Sequence, residues 1–437
     1  MTPIGRFSVA SESEWNPSIT TLFLSFSGKP LTAQDLNKVW EERKMPENHP
    51  RFCMAVNEQL RFQPEPSNVE HITDTVYPAN KEELKNRIVH MQMDRWDLKD
   101  SLWYMHIASS QKDNETLLLF RGHHALADGA SLGATLSDLL DERDELRAYA
   151  EDQKQKFLRR RRGKKSRNVL DRFWRYWVRF VKMLFGLCFA VLYHLSLVLR
   201  NAVWDSDPWQ ALMDPSRRQR SVAWTKFAPM DQIKAVASAF GDRVTINDVM
   251  VFCVSAALRR QLKYHTKLHD DLPEPTVMHI AMPVHLGGTT GNNIGAMVAR
   301  FGYGCDLEAV HQQLSFLKGT PMALLSYGAA RLFSSIAPAS WFSASNAGSI
   351  AVVSNNRGPP QQVHLLGRTL EQSVGFVPLP PGIPIGVTIQ SYAGDVNCTL
   401  CAEEWAVPDT DQFLVWMMEE YKGLAAEARD RMKTKQQ

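Results

Sequence analysis

The stretch Leu117-Leu118-Leu119-Phe120-Arg121-Gly122-His123-His124-Ala125-Leu126-Ala127-Asp128-Gly129-Ala130-Ser131 changes character abruptly at its two histidines. Thr116 to Phe120 is an apolar run of strand length, and Ala130 to Leu140 sets Leu132, Leu136, Leu139 and Leu140 at helical spacing. The stretch therefore reads as strand, loop and helix. Two imidazoles sit where a buried strand ends, a carboxylate follows at Asp128, and Gly129 lets the backbone turn tightly into the helix. Histidine suits a base at neutral pH, because an ordinary pKa of about 6.5 leaves much of it unprotonated. One histidine suffices for that task, so the second and Asp128 read as groups that fix the ring and brace the loop. A core histidine pair with Asp128 as a plain helix N-cap is the other reading, and these residues alone leave both open.

The chain around it has 437 residues, 44% hydrophobic and 22% charged, which describes a globular protein long enough for two or three domains. A net charge of +3 argues against a nucleic-acid binder by overall charge. Met1 to Ser8 lacks the apolar run of a secretory signal, so residence on the cytosolic side is expected. The six cysteines are scattered, as expected in a reducing compartment. Cys398 and Cys401 form a lone pair three apart in an apolar segment. On a strand that step places them on opposite faces, so structural cysteines are expected rather than a metal site.

Ser18 to Phe26 reads as a first strand, and Thr32 opens a helix through Trp40. Helix signals return at Lys81 to Met93, and Leu102 to Ala108 alternates as a strand that pairs back onto the Leu117 run as a hairpin. Farther on, Ser221 to Phe227 suits a strand, and Met230 to Phe240 and Ile246 to Leu262 suit helices, the latter opened by a Thr245/Asp248 capping box. Val277 to Val284 is strand-like and runs into the glycine-rich loop His285 to Asn293. Ser349 to Val353 is another strand, Pro384 to Tyr392 and Asp395 to Cys401 make a hairpin, and Asp409 to Ala425 is a closing helix. No repeat of fixed period emerges.

Between these two regions lies a basic run from Lys154 to Lys182 in which the only acid is Asp171, followed by Met183 to Leu199 with no charged residue. Basic residues beside Phe173, Trp174, Trp177 and Phe180 beside apolar sequence describe a membrane surface. Met183 to Leu199 would be roughly 26 Å long as a helix, at the short edge of a span. Arg175, Arg179 and Lys182 recur at helical spacing, which favours an in-plane amphipathic helix; a buried linking helix is the alternative.

Taken in order, these pieces resemble the wax ester synthase/diacylglycerol acyltransferase family of the CoA-dependent acyltransferase superfamily. The resemblance runs from about Ser18 to Tyr421 and rests first on His123-His124-Ala125-Leu126-Ala127-Asp128-Gly129, which fits the family's HHxxxDG motif at every fixed position. Supporting pieces are Asp94 to Trp103, Asn247-Asp248, Met282-Pro283-Val284 followed by Gly291-Asn292, Ser354-Asn355 with Gly358-Pro359, and Ser391-Tyr392-Ala393-Gly394. The chain departs from the family at His285-Leu286-Gly287, where Ser-Leu-Arg is usual, and at Asn356-Arg357.

The resemblance implies a mixed α/β (α+β) fold of two chloramphenicol-acetyltransferase-like halves facing across a central substrate tunnel. Residues 1–150 would form the half with the histidine loop, 151–214 a basic and hydrophobic membrane-associating linker, and 215–437 the second half. The implied activity is O-acyl transfer from acyl-CoA to a long-chain alcohol or diacylglycerol. His124 would be the general base, His123, Asp128 and Gly129 its supports, and Asn247 a donor to the oxyanion, with Asn292, Ser354 and Asn355 as candidate contacts to CoA. Acyl-CoA is then a co-substrate, and no cofactor, metal or nucleic acid is expected. A secondary-metabolite or short-chain acyltransferase and an inactive lipid-binding protein are the alternatives. Both halves must share one compartment, so the segment 159–200 is expected to be a monotopic anchor on the cytosolic face, of the endoplasmic reticulum or a lipid droplet if the source is eukaryotic.

Overall fold

The structure is a computed structural model and describes residues 1–161, 169–203, 209, 212–268, 277–287, 291–333 and 348–436. Of the basic run, Arg162, Lys164, Lys165 and Arg167 lie outside the described residues, as do Gly288, Thr289 and Thr290 of the glycine-rich loop.

The chain opens with helix α1 (Pro3–Ala10), capped by Thr2, and strand β1 (Ile19–Ser27). Helix α2 (Ala33–Glu42) starts at a complete Thr32/Asp35 capping box, and α3 (Met45–Asn48) is a single turn. Strands β2 (Met54–Val56) and β3 (Phe62–Pro64) make a small ribbon, and β4 (Ile72–Thr75) precedes α4 (Lys81–Met93). Then come the expected hairpin, β5 (Trp103–Ser110) with β6 (Glu115–His123), and the expected helix, α5 (Gly129–Ser137). Helix α6 (Arg143–Arg161) and the long α7 (Val169–Val203) lead to β7 (Arg220–Pro229), α8 (Met230–Phe240) and α9 (Ile246–Leu268). Strands β8 (Val277–His285) and β9 (Ile294–Gly302) form a hairpin, followed by α10 (Leu307–Lys318) and α11 (Met322–Phe333). The remainder is β10 (Ala351–Arg357), β11 (His364–Leu365), β12 (Arg368–Phe376), the expected hairpin β13 (Ile385–Tyr392) and β14 (Asp395–Glu403), and α12 (Thr410–Gln436).

The strands form two six-stranded sheets, ordered β11-β12-β1-β6-β5-β4 and β7-β14-β13-β10-β8-β9. Each has its own core, one around Trp103, Phe26 and Phe120, the other around Val249, Val254 and Leu258 of α9. The sheets are not divided by chain order, because β12 crosses back to pair with β1 in the first sheet. Across the seam Phe23 meets Trp224 edge-on, with ring centroids 5.0 Å apart. Cys398 and Cys401 are both buried, and burial pushes the Cys401 thiol up to about 11. Cys401 donates to Gln92 of α4 at 3.2 Å, so its role is in packing.

Within the second sheet β10 runs parallel to both β8 and β13. The carboxyl ends of these strands therefore lie on one side, which is where open α/β sheets place their sites. There β8 ends at His285 and β10 at Arg357, and both ends meet the start of α5.

Helix α7 is about 52 Å long at 1.5 Å per residue and touches the body along a narrow side. Ala190 is fully buried, Gly186 passes so close to Pro321 that a Cβ would lie 3.0 Å from its ring, and Phe189 packs edge-on against Phe316 at 5.4 Å. Gln313 donates to the Tyr193 hydroxyl at 2.9 Å. Facing away are Trp177, Phe180, Leu184, Phe185, Leu192 and Leu195, all exposed. Among the described residues, no helix is long and apolar enough to cross a membrane.

Candidate active site

The histidine loop is built by strand pairing. β1 and β6 are antiparallel in register from Ser27↔Glu115 to Ile19↔His123, and the ladder ends with His124 donating its N–H to Ser18 O at 2.7 Å. His123 is the last strand residue and is only 2% exposed. Its Nδ1 accepts the Ala125 N–H at 3.0 Å, which assigns the ring proton to Nε2. Two residues upstream, Arg121 pairs with Asp94 at 2.7 Å and lies over the Trp96 ring, so the segment from Asp94 flanks the strand that ends in the loop.

His124 turns toward the other sheet. Asn292, fully buried, sets its Nδ2 2.7 Å from both the carbonyl oxygen and Nδ1 of His124. A carbonyl only accepts, so the amide nitrogen is the atom that faces it. The second contact is a hydrogen bond in the tautomer that carries its proton on Nε2. On another side, Ser8 Oγ of α1 lies 3.4 Å from Nδ1 and is the acceptor available to the opposite tautomer. Burial lowers the His124 pKa to about 4, with His123 adding to the effect and Asp128 opposing it. The imidazole is therefore neutral at pH 7 while part of the residue still reaches the surface.

Asp128 does not serve His124 directly. Its Oδ1 accepts from Ser131 N at 2.8 Å as the N-cap of α5, and its Oδ2 accepts from Asn293 N at 3.0 Å and faces His285 Nδ1 at 3.3 Å. Ser131 Oγ donates to Gly291 O at 2.7 Å beside it. One carboxylate thus ties the helix start in the first sheet to the loop of the second. At Gly287, where the resemblance leads one to expect arginine, no side chain is available, and Asp128 meets His285 and the electrostatic influence of Arg51. Arg51 is partly buried, which lowers its pKa, while Asp128 opposes that shift. Its Nη1 donates to Leu126 O at 3.4 Å, and a Cβ at Gly291, whose φ is +90°, would collide with its guanidinium.

Gly129 lies in the first turn of the helix and is not among the residues with positive φ. The expectation of a tight glycine turn is corrected: what this position requires is close approach, since a Cβ there would lie 3.0 Å from Asn356 Oδ1 of β10. Asn355, next along that strand, donates to Asn247 Oδ1 at 3.3 Å. Ser354 is buried in the same strand. The residue that the second sheet brings against His124 is therefore Asn292, while Asn247 is held by Asn355. Asp248 beside it is structural: it completes the Thr245 capping box and is shared by His311 at 2.8 Å and Lys318 at 3.3 Å. Sequence reasoning missed Ser8, Arg51 and Glu12, because none lies near the motif in the chain.

Among the described residues no group of three or more His, Cys, Asp or Glu is placed to hold a metal. Two cavities of about 300 Å³ lie elsewhere, one beside Trp40 and Trp103 and one between Lys85 and Arg220, and neither includes a residue of the histidine loop.

Residues 69–250 match the wax ester synthase/diacylglycerol acyltransferase catalytic domain, and residues 290–425 match the WS/DGAT C-terminal domain. The chain belongs to the wax ester synthase/diacylglycerol acyltransferase family. It is 25% identical over 231 residues to a putative diacyglycerol O-acyltransferase of Mycobacterium bovis and to a probable one of Mycobacterium tuberculosis, an alignment covering 49% of this chain and 46% of theirs. The chain thus spans about half the length of the curated relatives it matches. Its fold is similar to that of the wax ester synthase/diacylglycerol acyltransferase from Marinobacter aquaeolei VT8, with TM-score 0.62 and 17% identity over 98% of this chain and 99% of that one. It is also similar to a trichothecene 15-O-acetyltransferase from Fusarium sporotrichioides, with TM-score 0.60 and 13% identity over 97% and 94% of the two chains. The two-lobed acyltransferase fold expected from the sequence is the fold observed.

Proposed function

We propose that this family member transfers a long-chain acyl group from acyl-CoA to the hydroxyl of a long-chain alcohol or diacylglycerol. The observation that carries the reading is His124, neutral at pH 7, on a loop of one sheet and held by Asn292 of the other. A site assembled at a seam suits a reaction between two substrates that arrive separately. To act as base the ring must give up the Asn292 amide at Nδ1 and carry its proton there, toward Ser8, which leaves the Nε2 lone pair free. The substrate hydroxyl gives its proton to Nε2 as its oxygen attacks the thioester carbonyl. The C–S bond then breaks, and the proton passes to the departing thiolate, giving ester and CoA thiol. General base catalysis of this kind contributes about a hundred- to ten-thousand-fold. Asn247, with its Oδ1 engaged by Asn355, presents its N–H end as the proposed oxyanion donor. Ser354 and Asn355 are retained as proposed contacts to CoA.

The same reading includes a membrane surface. The outward side of α7 carries large apolar side chains over several turns, more than a monomer ordinarily leaves to water, and the sequence before it is basic. Long-chain alcohols and diacylglycerol reside in bilayers, so an anchor lying in the interface would hold the enzyme at its acceptor. The test is direct: purified protein with labelled palmitoyl-CoA and either hexadecanol or dioleoylglycerol should yield labelled ester and free thiol in equal amounts, and His124→Ala should abolish both. Ester formation unchanged in His124→Ala would sink the assignment.

A further inference from the structure

Residues 1–17 precede both matched regions, yet they reach the histidine loop. Glu12, just beyond α1, is a junction of three contacts: its Oε1 accepts the Ser18 N–H at 2.9 Å and faces His123 Nε2 at 3.2 Å, and its Oε2 pairs with Arg95 at 3.4 Å. Its side chain is only 9% exposed. Burial acts to raise its pKa, but His123, the Ser18 N–H and Arg95 outweigh that and hold the carboxyl below its ordinary value, so it is ionised at neutral pH.

His123 Nδ1 accepts the Ala125 N–H, so the ring proton sits on Nε2, which lies 3.2 Å from Glu12 Oε1 in a close contact that falls short of hydrogen-bond alignment and has no other partner among the described residues. Ser18, whose N–H Glu12 holds, in turn accepts the His124 N–H through its carbonyl. Glu12 therefore flanks the turn that presents His124 on two sides, by charge beside the His123 ring and by a hydrogen bond at the end of β1. We propose that Glu12 is a positioning residue for the acyl transfer, acting through His123 and Ser18 to fix the attitude of the His124 ring. The Glu12 carboxylate is buried against Ser18, His123 and Arg95, so its loss should affect the chemical step rather than acyl-CoA binding.

The inference rests on the acyltransferase reading, and the experiment separates the two. The full chain and its Glu12→Gln, Glu12→Asp and His123→Asn variants are assayed with palmitoyl-CoA and hexadecanol. If the unaltered chain makes no ester, the acyltransferase reading fails. If it does, Glu12→Gln should lower kcat on the order of tenfold to a hundredfold, the scale of a misplaced catalytic group, with KM for acyl-CoA within about twofold. Glu12→Asp, which keeps the charge, should recover part of the loss. In the His123→Asn background Glu12→Gln should cost much less than alone, because the shared partner is gone. A kcat for Glu12→Gln equal to that of the unaltered chain, multiplying losses in the double variant, or a loss confined to KM each overturns the proposal. Should the variants fail to fold, ¹⁵N NMR of the ring-labelled unaltered chain decides it: His123 must be protonated on Nε2 and not on Nδ1.

Discussion

Asn292 Nδ2 lies 2.7 Å from the carbonyl oxygen of His124 and 2.7 Å from its Nδ1, so one amide from the second sheet holds both the backbone and the ring of a residue in the first. This bond couples the attitude of the imidazole to the closure of the seam. It also biases the tautomer, because Nδ1 cannot carry a proton while it accepts from Asn292.

Asn292→Ala should therefore do two things. It leaves the His124 carbonyl without its partner, at about 1–3 kcal/mol for a buried acceptor, and it frees the ring to turn. Asn292→Asp should be worse, since a carboxylate oxygen would face the carbonyl oxygen. Urea unfolding and kcat with palmitoyl-CoA check both. An Asp variant that matches the Ala variant in stability would count against the assigned amide orientation.

Asp128 makes a second tie across the seam, and its variants should split in a specific way. Asp128→Ala removes the cap of α5, worth about 0.5–2 kcal/mol, and also the acceptor of Asn293 N and the partner of His285. Asp128→Asn keeps a capping oxygen but not the charge that Arg51 feels. Thermal unfolding should rank the native chain above Asp128→Asn and Asp128→Asn above Asp128→Ala. If the two variants unfold together, the charge carries nothing beyond the cap.

Much of this site is local in the chain and was legible there. The hairpin into His123, the Asp128 cap and the Thr245/Asp248 capping box follow from short-range periodicity and capping chemistry. What was not legible is non-local. Ser8, Glu12 and Arg51 reach the loop only because β1 pairs with β6 and the chain folds back, and no spacing rule relates residue 12 to residue 123. The apparent role of Gly129 misled for the same reason: the constraint on it comes from Asn356 on a strand more than two hundred residues later. The helices at 307–318 and 322–333 and the strand at 368–376 carry no comparably strong local signal, and the last joins the first sheet against chain order.

The pH dependence has a definite sign. His124 has a depressed pKa of about 4 in the folded chain against about 6.5 unfolded. Between those values the unfolded chain takes up a proton that the folded one does not, so this residue makes stability fall as pH drops from about 6.5 toward 4. Activity behaves differently: the base remains neutral until pH approaches 4, so kcat/KM should keep its His124 limb well below 6. A pH profile whose acid limb lies near 6.5 would show that the ring is not desolvated in solution.

The apolar outward side of α7 has the character of a membrane-binding face. Each large side chain inserted into a bilayer contributes about 1.5–3 kcal/mol, so a few of them outweigh the cost of bringing a protein to a surface. Leu184, Leu192 and Leu195 are exposed and lie apart from the packing side formed by Gly186, Ala190 and Tyr193. Leu184→Glu, Leu192→Glu and Leu195→Glu combined should leave thermal unfolding nearly unchanged, since no buried contact is lost. The triple variant should fail to float with liposomes of phosphatidylcholine and phosphatidylserine. The unaltered chain should bind them more weakly as salt rises, because the basic run leading into the helix and along its first turns adds attraction that ions screen. If the triple variant unfolds early instead, this face packs against protein and the surface reading is wrong. If it still floats, the attachment lies elsewhere on the chain.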